Sequence, residues 1–387
     1  MKKIIKNINR IISRLNHDFK NYHVFSAIKS SSKKFSFKKN LQVKISNKFI
    51  DRISAYALYL KTNEPIKKNN DLWSVIENQI DHKGFIDSIC DTQKNNKELI
   101  KVLKDLGKTK LLWGYGPNRK SYNKLSNKKF KDDEKRFFFD YLISISEYYG
   151  NIKVFNPEQG GWLIEEVDYD DLINKIFKKK KISLFKTPNY YYGYKYKKEF
   201  IFLKDLKGLY AAEQLRNIYK NNDLSEIIEI GAGIGYTCHY LKQMINTKYT
   251  IYDLPFSSIL QAIYLMISHG ENNVHLDNEK LPNEKLSDKK IFIKPYWKIF
   301  EHKTKKNILW FNEDSMPEID LSLSKKYTKK ILESKKSYFL SINQEARNDY
   351  GKGIKQHTVS DLLKTDSIYR TRDFLRPGYI EELFKIS

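Results

Sequence analysis

Three glycines stand in close succession where a short apolar run gives way to a helical pattern. The run covers residues 227–230, and Gly231, Gly233 and Gly235 follow it directly. A short, continuous apolar run is typical of a buried parallel strand. Glycines at such a strand-to-helix turn allow the backbone to approach a ligand closely, because no Cβ obstructs it. The spacing therefore predicts a ligand-binding loop.

Two carboxylates accompany this loop. Glu229 lies two residues before Gly231, and the next predicted strand, residues 249–252, leads into Asp253. A carboxylate at Asp253 can accept hydrogen bonds from both hydroxyls of a ribose. Glu229 suits the positively charged methionine end of S-adenosyl-L-methionine, which carries no phosphate. That cofactor is therefore predicted, with these candidate contacts: Glu229, Gly231, Gly233, Gly235, Asp253, Leu254 and Asn312.

Two other interpretations of the loop stay open. A dinucleotide-binding domain would also place an acidic residue after its second strand, but its phosphate loop normally has the spacing GxGxxG, whereas this chain has GxGxG. A glycine turn that binds no ligand is the third interpretation. The GxGxG spacing and the carboxylate of Glu229 favour the methyltransferase hypothesis.

Methyl transfer to a hydroxyl requires an aligned acceptor oxygen and a base that removes its proton. Asp314, Glu345 and His357 follow predicted strands or precede a predicted helix, and His357 has the side-chain type best suited to neutral pH. Each has a structural alternative as well. Asp314 and Glu318 could cap the next helix, Glu345 could pair with a nearby base, and His357 could be a surface residue at a helix start.

Arginine is scarce in this lysine-rich chain, yet three arginines lie close together near its end. Arg370, Arg372 and Arg376 have the fork geometry that suits a phosphate or a carboxylate. We predict that they bind the substrate, with structural salt bridges as the alternative. Divalent metal binding stays undecided, because Glu313, Asp314 and Glu345 follow no clear ligand spacing.

The ordered set of motifs resembles the bacterial sugar O-methyltransferases of surface-polysaccharide gene clusters. The similarity extends over roughly residues 150–387 and is carried by residues 229–235, 249–255, 312–318, 341–345 and 370–383. It implies a Rossmann-like class I methyltransferase fold. It also implies that the acceptor is a hydroxyl of a sugar, nucleotide sugar or glycan and that the protein acts in polysaccharide biosynthesis. A nucleic-acid methyltransferase and a non-catalytic scaffold with the same fold are the alternatives.

Strands alternating with helices predict an α/β fold for the last part of the chain. With 387 residues the chain is long enough for more than one domain. We predict a mainly helical N-terminal region over residues 1–110, a middle segment over 111–200 that contributes to the acceptor pocket, and a cofactor-binding Rossmann-like domain over 201–387.

Composition gives expectations about partners and location. The net charge is +25, but scarce arginine argues against a dedicated nucleic-acid site, so no specific nucleic acid is expected. The two cysteines, Cys90 and Cys238, form no CxxC pair. No secretion signal or membrane span is predicted. We expect a cytoplasmic protein, and an amphipathic helix over residues 4–15 could contact the inner face of the membrane.

Overall fold

The computed structural model describes residues 34–38, 45–65, 72–90, 100, 103, 105–116, 128–153, 167–280, 290–303, 306–345 and 356–387. The amphipathic helix expected over residues 4–15, with its membrane contact, lies outside these ranges. Within them, no helix combines the length and the apolar character needed to cross a membrane.

Helices dominate the first half of the described chain and alternate with strands in the second half. The helices are α1 (Asn47–Asn63), α2 (Leu72–Ile80), α3 (His82–Cys90), α4 (Lys128–Tyr148), α5 (Tyr169–Ile173), α6 (Leu203–Asn221), α7 (Tyr236–Met244), α8 (Pro255–His269), α9 (Leu321–Leu332) and α10 (Val359–Leu363). The strands are β1 (Phe35–Phe37), β2 (Tyr192–Tyr196), β3 (Glu199–Ile201), β4 (Glu226–Ile230), β5 (Lys248–Asp253), β6 (Val274–Leu276), β7 (Ile291–Pro295), β8 (Ile308–Glu313), β9 (Ser337–Gln344), β10 (Ser367–Arg372) and β11 (Tyr379–Ile386).

Eight strands form the main sheet, in the order β10-β11-β9-β8-β4-β5-β7-β6. Strand β4 pairs in parallel with both β5 and β8, and the parallel pairing continues to β7 on one side and β9 on the other. Strand β11 runs antiparallel to β9 and β10. The chain leaves β4 first towards β5 and later returns to β8, so the order reverses beside β4, where open α/β sheets bind their ligands. The predicted α/β, Rossmann-like architecture is confirmed.

The sheet interior explains why β4 forms. All five of its residues, Glu226–Ile230, are buried, as expected for a central parallel strand that is covered on both faces. Helix α7 then begins at Tyr236, directly after its N-cap residue Gly235, whose left-handed φ of 95° turns the chain out of the loop. A Cβ at Gly235 would lie 2.9 Å from Leu265 of α8, so glycine also permits the close packing of these two helices.

The N-terminal helices pack directly on the α/β part. His82 of α3 stacks on Phe256 of α8, with ring centroids 3.8 Å apart. From α1, the Arg52 guanidinium donates to the Glu279 carboxylate at 2.6 Å and to the Val274 backbone oxygen at 2.8 Å. Helix α1 therefore lies against the β6 edge of the sheet. A second, three-stranded sheet joins β1 to the middle segment through the order β1-β2-β3. The division at residues 110 and 200 stays a prediction.

Candidate functional site

A cavity of about 460 Å³ lies at the carboxyl ends of β4, β5 and β8. Its wall includes the residues from Glu229 to Ile234, together with Asp253, Leu254 and Asp314. The predicted glycine loop, the acid after the second strand and one candidate base therefore share one cavity. Helix α2 and the turn at residues 113–115 form the facing wall. Its volume is in the range of small-molecule and cofactor sites.

The glycines of the loop have different structural tasks. Gly231, Gly233 and Gly235 all have positive φ, at 74°, 60° and 95°. A Cβ at Gly231 would lie 2.2 Å from the Ser315 hydroxyl oxygen, whereas a Cβ at Gly233 would have no protein atom within 4 Å. Gly231 is therefore required for packing against the loop after β8. The open space at Gly233 leaves room for a ligand beside the backbone.

Asn312 holds the ends of three neighbouring strands together. Its fully buried amide donates to the Ile230 backbone oxygen at 2.7 Å, and its Oδ1 accepts from the Asn343 amide at 2.9 Å and from the Met316 backbone N–H at 3.2 Å. The Ser315 hydroxyl donates to the same Ile230 oxygen at 3.2 Å. The structure thus places Asn312 behind the cavity wall, where it fixes the shape of the loop that lines it.

Asp253 is the last residue of β5, and its carboxylate is held in place by short hydrogen bonds. It accepts from the Leu254 backbone N–H at 2.8 Å and from the Gln261 amide at 2.6 Å. Gln261 also donates to the Gly233 backbone oxygen at 2.9 Å, so it ties the acid to the glycine loop. Burial raises the pKa of Asp253 to about 6, against the opposing effect of these hydrogen bonds.

Glu229 is the second acidic residue predicted to contact the cofactor. It is buried in β4 and accepts a hydrogen bond from the Tyr249 hydroxyl at 2.8 Å. Burial raises the pKa of Glu229 to about 8, and the charges of Glu313 and Asp253 act in the same direction. A carboxyl with this environment becomes fully ionised when a cationic group lies beside it, because the cation compensates the cost of burial.

Asp314 follows β8 in a left-handed backbone conformation, with a φ of 59°. Its carboxylate pairs with the Arg376 guanidinium at 2.7 Å and accepts a hydrogen bond from the Tyr379 hydroxyl. Arg376 also pairs with Glu313 at 3.3 Å. Burial alone would raise the pKa of Asp314, but the charges of Arg376, Lys204 and Lys207 and the Tyr379 hydrogen bond together lower the pKa to about 2. Asp314 is therefore a carboxylate of low basicity, and Arg376 is engaged within the protein.

The other predicted catalytic and substrate residues lie away from the cavity. Glu345 pairs with Arg370 at 2.6 Å, and Arg370 also pairs with Glu382 at 2.6 Å across β10 and β11. Arg372 is exposed on the edge strand β10. His357 precedes α10, and burial lowers the pKa of its imidazole. The helix cap expected of Asp314 or Glu318 is made by Asp320, which accepts from two backbone N–H groups of α9.

Among the cavity residues, Glu318 was considered from the sequence as a possible helix cap, whereas Trp73, Lys204 and Lys207 were not considered. Glu318 lines the cavity and receives a hydrogen bond from Trp73 of α2, while burial and the Asp314 charge raise the pKa of Glu318 to about 7. Lys204 and Lys207 of α6 line the same cavity. Burial, with the Arg376 and Lys204 charges, lowers the pKa of Lys207 to about 7. Gln261, which holds Asp253, had a local signal, because it is a polar residue within a largely apolar helix.

The described ranges contain no group of three or more histidine, cysteine or acidic side chains arranged to hold a metal ion. The positive charges that act on the pKa values of Asp314 and Glu318 belong to lysine and arginine side chains. Metal dependence stays undecided.

No protein family model matches the chain, and no characterised protein matches it by sequence. Solved structures give similarities to parts of it. Mitomycin 7-O-methyltransferase MmcR is 13% identical, over 47% of this chain and 56% of that one, with a TM-score of 0.34. The N-terminal domain of EvdMO1, solved in the presence of SAH and D-fucose, is 11% identical over 46% and 83% of the two chains, with a TM-score of 0.30.

The PH0226 protein from Pyrococcus horikoshii OT3 is 11% identical over 47% of this chain and 90% of that one, with a TM-score of 0.33. The matched part of this chain spans little more than half the length of MmcR, at 56%. Similarities of this size do not identify an activity. The strand order and directions of the main sheet, with its antiparallel β11, define a Rossmann-like domain of the class I methyltransferase type.

Proposed function

We propose that the protein is an S-adenosylmethionine-dependent O-methyltransferase whose acceptor is the hydroxyl of a sugar, nucleotide sugar or glycan in surface-polysaccharide synthesis. The observation that carries the proposal is the single cavity in which the glycine loop, Asp253 and Glu318 meet. The cofactor end supplies a backbone cradle and two acids, and the opposite end supplies a group that can accept a proton near neutral pH. The sugar specificity rests on the resemblance of the motifs.

The cofactor end fits a nucleoside with a cationic tail. The Asp253 carboxylate is fixed by Gln261 and Leu254, so it is oriented in advance to accept hydrogen bonds from ribose hydroxyls. Open space at Gly233 allows a ligand to lie against the backbone. The charge of Glu229 would be stabilised by a nearby cation, directly or through water. When bound, S-adenosylmethionine supplies the electrophilic methyl group of a sulfonium.

Glu318 is the group we assign to proton removal. Its carboxyl lines the cavity, and its pKa of about 7 makes it a stronger base than Asp314, whose pKa is about 2. The Trp73 hydrogen bond fixes the orientation of Glu318. The Glu318 carboxylate would accept the proton that the acceptor hydroxyl loses on methylation, and S-adenosylhomocysteine would be the leaving group. Neither Glu345 nor His357 lies in the cavity wall to perform this step.

The first test is calorimetric titration of the purified protein with S-adenosylmethionine and S-adenosylhomocysteine. We expect micromolar binding that Asp253→Ala weakens by roughly 10-fold or more, about 1.4 kcal/mol. Asp223→Ala is the matched control, because Asp223 is exposed in the turn before β4 and should leave binding unchanged. Absence of binding by the folded wild-type protein would contradict the proposal and favour a scaffold with this fold.

The second test concerns the reaction. Acceptor-dependent formation of S-adenosylhomocysteine would be followed with a panel of neutral, phosphorylated and acidic sugars and with single-stranded nucleic acid. Glu318→Gln should lower the rate by roughly 100-fold or more, since general-base contributions are typically about 10²–10⁴-fold, while cofactor affinity stays unchanged. Methylation of nucleic acid instead of any sugar would overturn the acceptor assignment and leave the cofactor assignment intact.

A further inference from the structure

The cation pair on α6 is the feature that the proposed chemistry leaves unexplained. Lys204 and Lys207 are three residues apart, so they lie on one face of the helix, and both line the cavity. Both are half-buried. In the described part of the chain neither ammonium group has an ion-pair or hydrogen-bond partner, in contrast to Arg376 on the same side, which pairs with Asp314 at 2.7 Å.

The nearby acids are already engaged. Asp314 and Glu313 hold Arg376, and Glu318 accepts the hydrogen bond from Trp73. Around Lys207, burial together with the Arg376 and Lys204 charges outweighs the attraction of Asp314 and Glu313, and the pKa of its ammonium falls to about 7. Two like charges on one helix face destabilise the helix. An anion bound between them would relieve this repulsion and restore the full charge of Lys207.

Two tryptophans, Trp73 and Trp113, line the same cavity as the lysines. Trp113 lines the cavity although 49% of its surface is exposed, so its ring is accessible to a ligand. The next residue, Gly114, has a φ of 87°, and a Cβ built there would lie 3.5 Å from the Trp73 ring. Trp73, in turn, donates to Glu318. The indole of Trp113, the Glu318 carboxylate and the two ammonium groups therefore belong to one end of the cavity. Indole faces are suitable packing surfaces for a small ring.

We propose that this end of the cavity binds a sugar that carries an anionic group, with Lys204 and Lys207 binding the phosphate or carboxylate and Trp113 packing on the ring. This subsite rests on the proposed function and extends it, because it specifies the class of acceptor. A neutral sugar would leave both lysines without a counter-charge. A free anion would leave the indole uncovered.

Binding of defined probes tests the subsite without knowledge of the natural acceptor. Glucose 1-phosphate, glucuronate, glucose and inorganic phosphate would be titrated into the full-length protein saturated with S-adenosylhomocysteine, with ligand-observed NMR as the readout. We expect glucose 1-phosphate or glucuronate to bind at least about 10-fold more tightly than glucose, since a charge-assisted contact contributes about 1.5–3 kcal/mol. The tighter of the two identifies the anion as phosphate or carboxylate.

Variants distinguish anion binding by Lys204 and Lys207 from non-specific attraction to the net positive charge of the protein. The double variant Lys204→Gln/Lys207→Gln should lose the preference for the charged sugar, whereas Lys220→Gln, at the exposed end of the same helix, should keep it. Trp113→Ala should weaken the binding of glucose 1-phosphate until its affinity equals that of inorganic phosphate. Thermal melting and S-adenosylhomocysteine affinity establish that each variant is folded.

Equal affinity for glucose and the charged sugars, or an anion preference that survives the double variant, would overturn the subsite. Inorganic phosphate binding as tightly as glucose 1-phosphate in the wild-type protein would overturn the role of Trp113. Both failures leave cofactor binding intact, so they are distinguishable from failure of the proposed function. If the wild-type protein binds no S-adenosylhomocysteine, the same titrations without it still decide whether the lysines bind an anionic sugar.

Discussion

The two ends of the cavity are built in different ways. The cofactor end comes from consecutive residues at the ends of β4 and β5, and buried hydrogen bonds of Gln261 and Asn312 fix its backbone. The opposite end is assembled from residues far apart in the chain, on α2, the turn at 113–115, α6 and the loop after β8. Its charged groups are half-buried and several have shifted pKa values.

The contrast shows how one fold can keep its cofactor and change its acceptor. Backbone geometry at the cofactor end tolerates little substitution, because Gly231 packs against Ser315, Gly235 packs against α8, and the Asn312 amide joins three strands. Side chains of the acceptor end are attached to separate elements, so each can be replaced without rebuilding the sheet. The predictions below test whether stability and cofactor affinity belong to the first end and pH dependence and acceptor choice to the second.

The largest effect is expected for Gly231→Ala. The new Cβ would overlap the Ser315 hydroxyl at 2.2 Å and force alanine into a φ of 74°. We expect about 3 kcal/mol of lost stability, from strain of about 1–2 kcal/mol and disrupted packing or hydrogen bonds of about 1–3 kcal/mol. Cofactor binding should fall with it. Denaturant unfolding measures the first quantity and calorimetry the second.

Gly233→Ala is the matched control for that experiment. Gly233 has a similar φ of 60°, but no protein atom lies within 4 Å of its added Cβ. The Gly233→Ala variant should lose only about 1 kcal/mol of stability, from backbone strain. Its cofactor affinity should fall by more than its stability. Equal destabilisation by the two substitutions would show that contact with Ser315 does not distinguish these positions.

Arg52→Ala tests whether the N-terminal helices affect the cofactor end. Arg52 joins α1 to the β6 edge through Glu279 and two backbone oxygens, and its side chain is only 16% exposed. We expect a loss of about 1–2 kcal/mol in the free energy of unfolding, with cofactor affinity unchanged within about 2-fold. Lys61→Ala, which removes an exposed ion pair with Asp87, should cost less than about 0.5 kcal/mol. A large change in cofactor affinity would show that α1 does affect the cofactor end.

The pH dependence of cofactor binding sharpens the assignment of Glu229. Its pKa is raised to about 8, so the free protein binds a proton there at pH 6–7. A bound cation favours the carboxylate and releases that proton, so affinity for S-adenosylmethionine should rise, by up to about 10-fold, between pH 6 and pH 8. Glu229→Gln should flatten the profile. Calorimetry in buffers of different ionisation enthalpy counts the protons, and a flat wild-type profile would separate Glu229 from the cofactor.

The smallest effect is expected for Trp73→Phe. This change removes the hydrogen bond that stabilises the Glu318 carboxylate, so the pKa of Glu318 should rise and the base should become ionised only at higher pH. Turnover at pH 7 should fall roughly 2- to 5-fold, the range of a modest hydrogen-bond contribution, and recover at higher pH. The pH profile of acceptor-dependent S-adenosylhomocysteine formation measures the shift. A uniform loss at all pH values would indicate a packing role.

The sequence predicted the elements around the glycine loop because their signals are local. The helical pattern that follows the loop forms α7, Tyr236–Met244, and Asp253 ends β5. Strand β6 and the antiparallel hairpin of β10 and β11 were not predicted, because these strands are stabilised by pairing with their neighbours in the sheet.

The acceptor end was predicted less completely. Three arginines had the right chemistry for an anion, but the structure pairs Arg370 with Glu345 and Glu382, and Arg376 with Glu313 and Asp314. Nothing local distinguishes Lys207 from the many other lysines, since its lowered pKa depends on burial beside Arg376 and Lys204. Trp73 and Trp113 line the cavity only because α2 and the turn at residues 113–115 pack over the strand ends.

By itself, the sequence determined the α/β alternation, the glycine loop and the acid that follows the second strand. These features depend on backbone conformation and on hydrophobic patterns within about 20 residues, which any window of the chain displays. Only the tertiary structure decided which charged groups lie unpaired in the cavity and which are neutralised. Ion pairing and desolvation depend on distances between residues far apart in sequence, and those distances exist only after the chain has folded.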